Sequence, residues 1–340
     1  MLILAIESSC DETACAVVAD GVSEVAAELA SSAELHHKTG GVVPEVAARK
    51  QVEFILPVIE STVNQTAAKL GLAPEQVKEQ VDALAVTVGP GLTGSLIVGI
   101  EAAKALALAW NKPLLPVNHL VGHIYANFVD GTIIDPFPAV ALVASGGHTD
   151  LVLIKAHGDI HYLGGTLDDA AGEAFDKVAR LLNLGNYLGG ANLSQTARNY
   201  TGPPLPEKLP RPLLQENNYN FSFSGLKTAV KRLTDKKNYP VGAIAKEFEE
   251  AAVEVLVEKT VQAARETKAK TILLGGGVAA NQKLRADLVS KAGDGITVKI
   301  PPLKLCGDNA VYIASAAYFN QNYQPLEKVI PHPSLTISEP

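Results

Sequence analysis

Apolar residues run almost unbroken over 2–6 and again over 14–19, and only a short polar stretch from Glu7 to Thr13 separates them. Unbroken apolar runs of this length read as strands buried on both faces. Asp20-Gly21 after the second run is a hairpin turn signal. The same figure returns in the second half: an apolar run over 139–144, a small polar loop over 145–150, and a further strand over 151–154. The chain therefore reads as a duplicated strand–loop–strand unit. Shorter apolar runs over 83–88, 114–117, 271–274 and 296–300 complete the strands.

Helical stretches alternate with these runs, which defines an α/β class. Pro44 stands where a helix starts well and opens one over 44–70, with Pro57 expected to kink or divide it. Further helices are expected over 96–110, 241–267, 281–291 and 308–320. Asp168 or Asp169 is placed as the N-cap of a helix through Asp176 and Lys177. The stretch 31–43 reads as irregular, with His36 and His37 in an exposed loop. The segment 201–212 is proline-rich and irregular, and residues 135–138 mark a domain boundary.

With 340 residues, 47% of them apolar and 19% charged, the chain is long enough for two domains. Its net charge of −7 argues against coating nucleic acid by bulk charge. A local basic stretch remains: Lys227, Lys231, Arg232, Lys236 and Lys237, beside Phe221 and Phe223. It reads either as a solvated charged face or as a surface for RNA phosphate. Cys10, Cys15 and Cys306 form no disulfide framework, so reduced thiols and a cytoplasmic location are expected. No secretory signal is read at the start. The most apolar segment is broken by Glu101 and Lys104, so no membrane association is expected.

The chemistry concentrates in four places. His119 and His123 stand four apart; on a helix they share a face, with Cβ atoms about 5–6 Å apart. That suits two imidazoles on one metal ion, or else two ordinary surface histidines. A zincin protease needs Glu after the first histidine, and Leu120 stands there instead. Asp308 is the best remote third ligand, although it also reads as an N-cap; two histidines and a carboxylate suit Fe(II) or Zn. The loop holding Asp11 and Glu12 can touch phosphate or metal-bound water. Gly146-Gly147 allows close backbone approach to an anion. The glycine-rich turn over 89–95 lacks the ending of a P-loop and reads as helix–strand packing, while 275–281 suits a nucleotide's sugar or base.

Taken in order, AIESSCDET, GPGLTGSL, HLVGH, ALVASGGHT, DDAAGEAFDK, FSFSGLKT, LLGGGVAAN and GDNA span nearly the whole chain. Together they resemble the bacterial tRNA threonylcarbamoyladenosine transferase family, formerly labelled a glycoprotein endopeptidase. The resemblance implies two duplicated RNase-H-like domains of the actin, Hsp70 and sugar-kinase type around a central cleft. The first would cover 1–135, completed by a C-terminal helix at about 308–325, and the second 136–307. It implies transfer of a threonylcarbamoyl group from threonylcarbamoyl-AMP to the N6 amine of the adenosine beside the anticodon, in tRNAs reading codons that begin with A. The metal ligands would be His119, His123 and Asp308, holding Fe(II) or Zn. Asp11 and Glu12 would line the reacting end. Val143, Ala144, Ser145, Gly146, Gly147, Asp176, Gly190, Ser194 and Asn281 would hold the adenylate. An inactive paralogue and a small P-loop ATPase would be partners. Val121 stands where many members carry Glu, Ser194 where many carry Asp, and Asn186 or its neighbour is a one-residue insertion before Gly189. An ATP-dependent kinase or ATPase of the same fold is the alternative.

Overall fold

The computed structural model describes residues 1–131, 136–185, 187–236 and 239–339, the side chains of 37–39 and 236 excepted. Asn186, Asp135, Lys237 and the side chains of His37 and Lys236, all named from the sequence, lie outside that description. Two compact units are present, one formed by 1–135 with 304–340 and the other by 136–303.

The first unit contains β1 (Leu2–Glu7), β2 (Glu12–Ala19), β3 (Ser23–Ser31), α1 (Ala33–Thr39), α2 (Pro44–Leu70), α3 (Val77–Gln80), β4 (Ala83–Gly89), α4 (Thr93–Trp110), β5 (Leu114–Asn118) and α5 (His119–Tyr125). The second contains β6 (Ala139–Ala144), β7 (Thr149–Ala156), β8 (Asp159–Gly165), α6 (Ala171–Leu181), α7 (Gly190–Asn199), α8 (Ser224–Lys236), α9 (Val241–Glu266), β9 (Thr271–Gly275), α10 (Gln282–Ala292) and β10 (Thr297–Lys299). A last helix, α11 (Ala310–Asn320), belongs to the first unit.

The two sheets have the same topology. The first runs β3-β2-β1-β4-β5 and the second β8-β7-β6-β9-β10. In each, the first three strands in sequence are antiparallel neighbours and the last two join in parallel. The repeated strand–loop–strand figure in the sequence is thus a repeated sheet.

Two-sided burial explains the unbroken apolar runs. Leu4, Ile6, Val17, Leu84 and Val86 form one cluster with Ile55 and Val58 of α2 and Leu96 and Ile100 of α4. The alternate residues Ile3 and Ala5 are equally buried, and α11 packs against β1 and β2. The α4 helix is long and apolar enough to cross a membrane by composition alone, yet Leu96, Ile100, Ala103 and Ala107 on it belong to this core.

Several local expectations are corrected. The stretch after β3 is helical in α1, and His36 is buried rather than exposed: Ser32 Oγ lies 3.2 Å from its Nε2, and the Val43 N–H donates to its Nδ1 at 3.3 Å. Pro57 does not divide α2. It lies on the exposed side, where water can satisfy the carbonyl it leaves unpaired. Asp168 and Asp169 do not cap α6, which starts after Ala170. Asp168 instead accepts from Ser222 Oγ, the Phe223 N–H and both Ser224 donors, and so anchors the start of α8. Asp169 pairs with Lys177 at 2.7 Å. Phe221 and Phe223 are wholly buried and stack on each other at 6.2 Å, so neither is presented to RNA.

Candidate metal centre and nucleotide cavity

The candidate metal ligands gather at the end of the first sheet. β5 runs directly into α5, and the Asn118 side chain caps the junction by accepting from the Leu120 N–H at 2.9 Å. Capping at Asn118 makes His119 the first residue of the helix and puts His123 one turn on, with ring centroids 4.6 Å apart. Gly122 on the same helix lets α5 approach α11: a Cβ there would lie 2.7 Å from both Ile313 and Tyr312.

Asp308 arrives from the segment leading into α11. The N-cap, its alternative reading, is instead Asn309, which accepts from the Val311 and Tyr312 N–H groups. The Asp308 carboxylate is therefore available to the histidines. Its Oδ1 lies 3.5 Å from Nε2 of His119 and 3.5 Å from Nε2 of His123. One ligand atom from each of the three residues lies within 4.8 Å of the others, and both histidines are buried. This group can hold a metal ion.

Glu7, which in sequence only opens a polar loop, completes the arrangement. It is wholly buried at the end of β1 and accepts from Thr87 Oγ1 at 2.5 Å and the Ser9 N–H at 2.5 Å. Its Oε2 lies 3.0 Å from His119 Nδ1. A carboxylate on Nδ1 fixes the tautomer that turns the Nε2 lone pair toward a metal. The signal in the sequence was a carboxylate ending an otherwise apolar strand.

Electrostatics here favour a cation. Burial pushes Glu12 up to about 10, aided by the Asp308 and Asp11 charges and by the hydrogen bond its protonated form donates to Asp11. Burial also pushes Asp308 up to about 6, with His119 opposing and Glu7 and Asp11 adding to the rise. His119 is raised to about 9, because the Glu7 and Asp308 charges outweigh the burial that opposes its ionisation. Protons are thus retained where a divalent ion would supply the same positive charge. Leu120 is packed in the core and offers nothing to a water molecule.

The second unit holds a separate cavity of about 760 Å³. Gly146, Asp176, Gly190, Ser194 and Asn281 of the expected adenylate residues line it, with Phe175, Lys246, Glu249 and Val278 among the rest. Its size suits a nucleotide. Val143, Ala144, Ser145 and Gly147 do not line it. Val143 and Ala144 are fully buried in β6, and Gly276, at a φ of +87°, packs directly on the Ala144 carbonyl. A Cβ on Gly146 or Gly147 would meet nothing within 4 Å, so their backbone faces open space.

Polar groups of the cavity hold one another. The Gly190 N–H donates to Asp176 Oδ1 at 2.8 Å. Asn281 Nδ2 donates to Ser194 Oγ at 2.9 Å and to Glu249 Oε1 at 2.6 Å, while its Oδ1 caps α10 through the Leu284 N–H. Glu249 and α7 were not anticipated; Glu249 sits in a long amphipathic helix where buried and exposed glutamates look alike.

Two sheets of this shared order define the fold class of the actin, Hsp70 and sugar-kinase proteins. The HypF crystal structure from T. kodakarensis superposes with a TM-score of 0.63 at 14% identity, over 93% of this chain and 47% of that one. Component A of the Acidaminococcus fermentans (R)-2-hydroxyglutaryl-CoA dehydratase gives 0.52 at 15% identity, over 97% and 99%. Those likenesses show the fold alone. The sequence goes further: the tRNA N6-adenosine threonylcarbamoyltransferase family model matches residues 24–315. Proteins of that name from Thermomicrobium roseum and Bacillus subtilis are 48% and 46% identical; the alignments cover 94% and 99% of this chain and 92% and 98% of theirs. The chain belongs to the tRNA N6-adenosine threonylcarbamoyltransferase family, and is accordingly a transferase acting on tRNA.

Proposed function

We propose that this enzyme moves the threonylcarbamoyl group of threonylcarbamoyl-AMP to the N6 amine of the adenosine adjacent to the anticodon in tRNAs reading codons that begin with A. A C–N bond forms to N6, the carbonyl–phosphate C–O bond breaks, and AMP leaves. The donor is a mixed anhydride and is already activated, so no covalent enzyme intermediate is needed. Positioning and charge stabilisation carry the reaction.

His119, His123 and Asp308 hold a divalent metal in this reading, Fe(II) before Zn. When bound, the ion supplies Lewis-acid charge for phosphate or threonyl oxygens. Glu7 orients His119. Asp11 is buried beside Glu12 and is the candidate acceptor of the N6 proton, while Glu12 keeps its own proton in the metal-free site. In the second unit, Asp176, Gly190, Ser194 and Asn281 shape the cavity for the nucleotide, and Gly146 and Gly147 offer backbone N–H groups to phosphate, while the Ser145 N–H is held by the His148 carbonyl at 2.8 Å. An inactive paralogue and a small P-loop ATPase assist, and the enzyme works in the cytoplasm.

The observation that carries this reading is the convergence of His119, His123 and Asp308 with Glu7 behind His119. A kinase using Mg-ATP has no use for that set. The test is single-turnover transfer from preformed threonylcarbamoyl-AMP to unmodified tRNA, with the partners present, read by mass after nuclease digestion. Modified nucleoside from the wild type and none from His119→Ala supports the proposal. No product, with phosphate passed from ATP to a small molecule instead, overturns it in favour of the kinase.

A further inference from the structure

We propose that the C-terminal segment 329–339 braces the metal-binding helix, latched to it through Asn118. The segment lies beyond the residues matched by the family model, which end at 315. The inference rests on reading His119, His123 and Asp308 as a metal site.

Asn118 is the pivot. It is the last residue of β5 and the N-cap of α5, and only 4% of it is exposed. A carboxamide has an accepting end and a donating end. Here the accepting Oδ1 takes the Leu120 and Val121 N–H groups at 2.9 and 3.4 Å. The donating Nδ2 reaches the carbonyls of Thr336 at 2.8 Å and Glu339 at 3.0 Å. The tail therefore fixes the amide orientation that caps the helix. Since α5 has only seven residues, its own hydrogen bonds cannot hold it in place. His119 follows Asn118 directly, so any slip of the cap displaces a ligand.

The tail is itself folded for this contact. Glu339 Oε2 accepts from the Thr336 N–H and hydroxyl, both at 2.7 Å, and closes the last turn. Ile337 and Val329 are buried and pin that turn and the start of the segment to the first unit. A second tether reaches the same histidine from the other side. The His332 N–H donates to the Val88 carbonyl at 2.7 Å, and the Gly91 N–H to the Pro333 carbonyl at 3.2 Å. The Leu92 N–H then holds the Ser9 carbonyl at 2.8 Å, and Ser9 Oγ lies 3.3 Å from His119 Nδ1.

Two variants of the full-length protein separate latch from cap. Asn118→Asp keeps an acceptor for the helix N–H groups and loses the donor to the tail. Truncation after Ile330 removes the tail and leaves Asn118 intact. Each is loaded with Co(II), and affinity is read by chelator competition and coordination by the visible absorption bands, with circular dichroism reporting the fold. Both variants are expected to bind Co(II) at least about tenfold more weakly than wild type, the range seen when groups behind metal ligands are removed, and to show altered bands. If the truncated chain does not fold, Asn118→Asp decides alone. Wild-type affinity and spectrum in a folded variant would overturn the brace. A wild-type protein that binds no Co(II) would overturn the metal-site reading instead, and the brace with it.

Discussion

Glu7 Oε2 and His119 Nδ1 stand 3.0 Å apart, with the Glu7 side chain wholly buried and that of His119 only 9% exposed. The carboxylate also accepts from Thr87 and Ser9, so its position is set by three elements before any metal arrives. Burial disfavours its charge, but His119 and these hydrogen bonds hold its pKa below the usual carboxylate value. Glu7→Gln keeps the shape and removes the charge. The expected outcome is metal affinity lowered about 10- to 100-fold, with a parallel loss of transfer. Chelator competition on the purified variant measures it, and unchanged affinity would show that Glu7 does not orient the ligand.

Gly122 tests the packing that brings α5 to Asp308. Alanine there gains about 1 kcal/mol of helix propensity. Against that, its Cβ would sit 2.7 Å from Ile313 Cδ1 and Tyr312 Cδ2, and both neighbours are fully buried. Overpacking of this kind costs about 1–3 kcal/mol, so the clash prevails. Gly122→Ala is expected to lower the thermal midpoint and weaken metal binding together. Gly146→Ala, which meets nothing within 4 Å, is the contrasting variant and should leave the midpoint unchanged.

The apolar strands and the histidine pair were legible because they depend on local pattern, whereas the edge strands β3 and β8 were missed because they are only partly buried and carry polar residues. An unbroken apolar run can only be buried on both faces, and an i, i+4 spacing means the same thing wherever the helix lies. Asp308 was legible as a candidate ligand with an N-cap as the other reading, and the two stayed open because Asp308 and Asn309 are both good caps and only the backbone shows which one caps α11. His36 looked like a loop residue because its partners, Ser32 and the Val43 N–H, are backbone and hydroxyl groups that no periodicity marks. Asp168 looked like the cap of the next helix and serves one that starts 56 residues later. Glu7 went unremarked because a buried charge is recognisable only from what surrounds it.

Asp150 gives a pH signature of the second unit. It lies on β7 opposite Val143 and Gly165, and a Cβ on Gly165 would meet its Oδ1 at 2.6 Å. Burial pushes its pKa up to about 6, against about 3.9 in an unfolded chain. Between those values the folded state keeps a proton that the unfolded state gives up. Stability from this group is therefore full below pH ~4 and declines until pH ~6. Asp150→Asn removes the penalty. Its thermal midpoint should equal the wild-type value near pH 4 and exceed it above pH 6; equal midpoints at pH 7.5 would contradict the burial argument.

On the basic face of α8, the burial of the aromatic neighbours narrows what RNA could find there. With Phe221 and Phe223 stacked inside the fold, no base can stack on them. What α8 offers RNA is charge: Lys231 and Arg232 are exposed, and Lys227 is half-buried on the same helix. If this face meets tRNA, it does so through phosphate, and the contribution must vanish as salt rises. Reversing Lys231 and Arg232 to glutamate should weaken tRNA binding at low salt and flatten the dependence of log K on log salt by about one to two units, near 0.9 for each phosphate no longer neutralised. The two curves should meet at high salt, and single-turnover rates at saturating tRNA should be unaffected. Identical binding by both proteins at low salt would place the tRNA surface elsewhere. A deficit that persists at high salt would mean that α8 reads RNA by something other than charge.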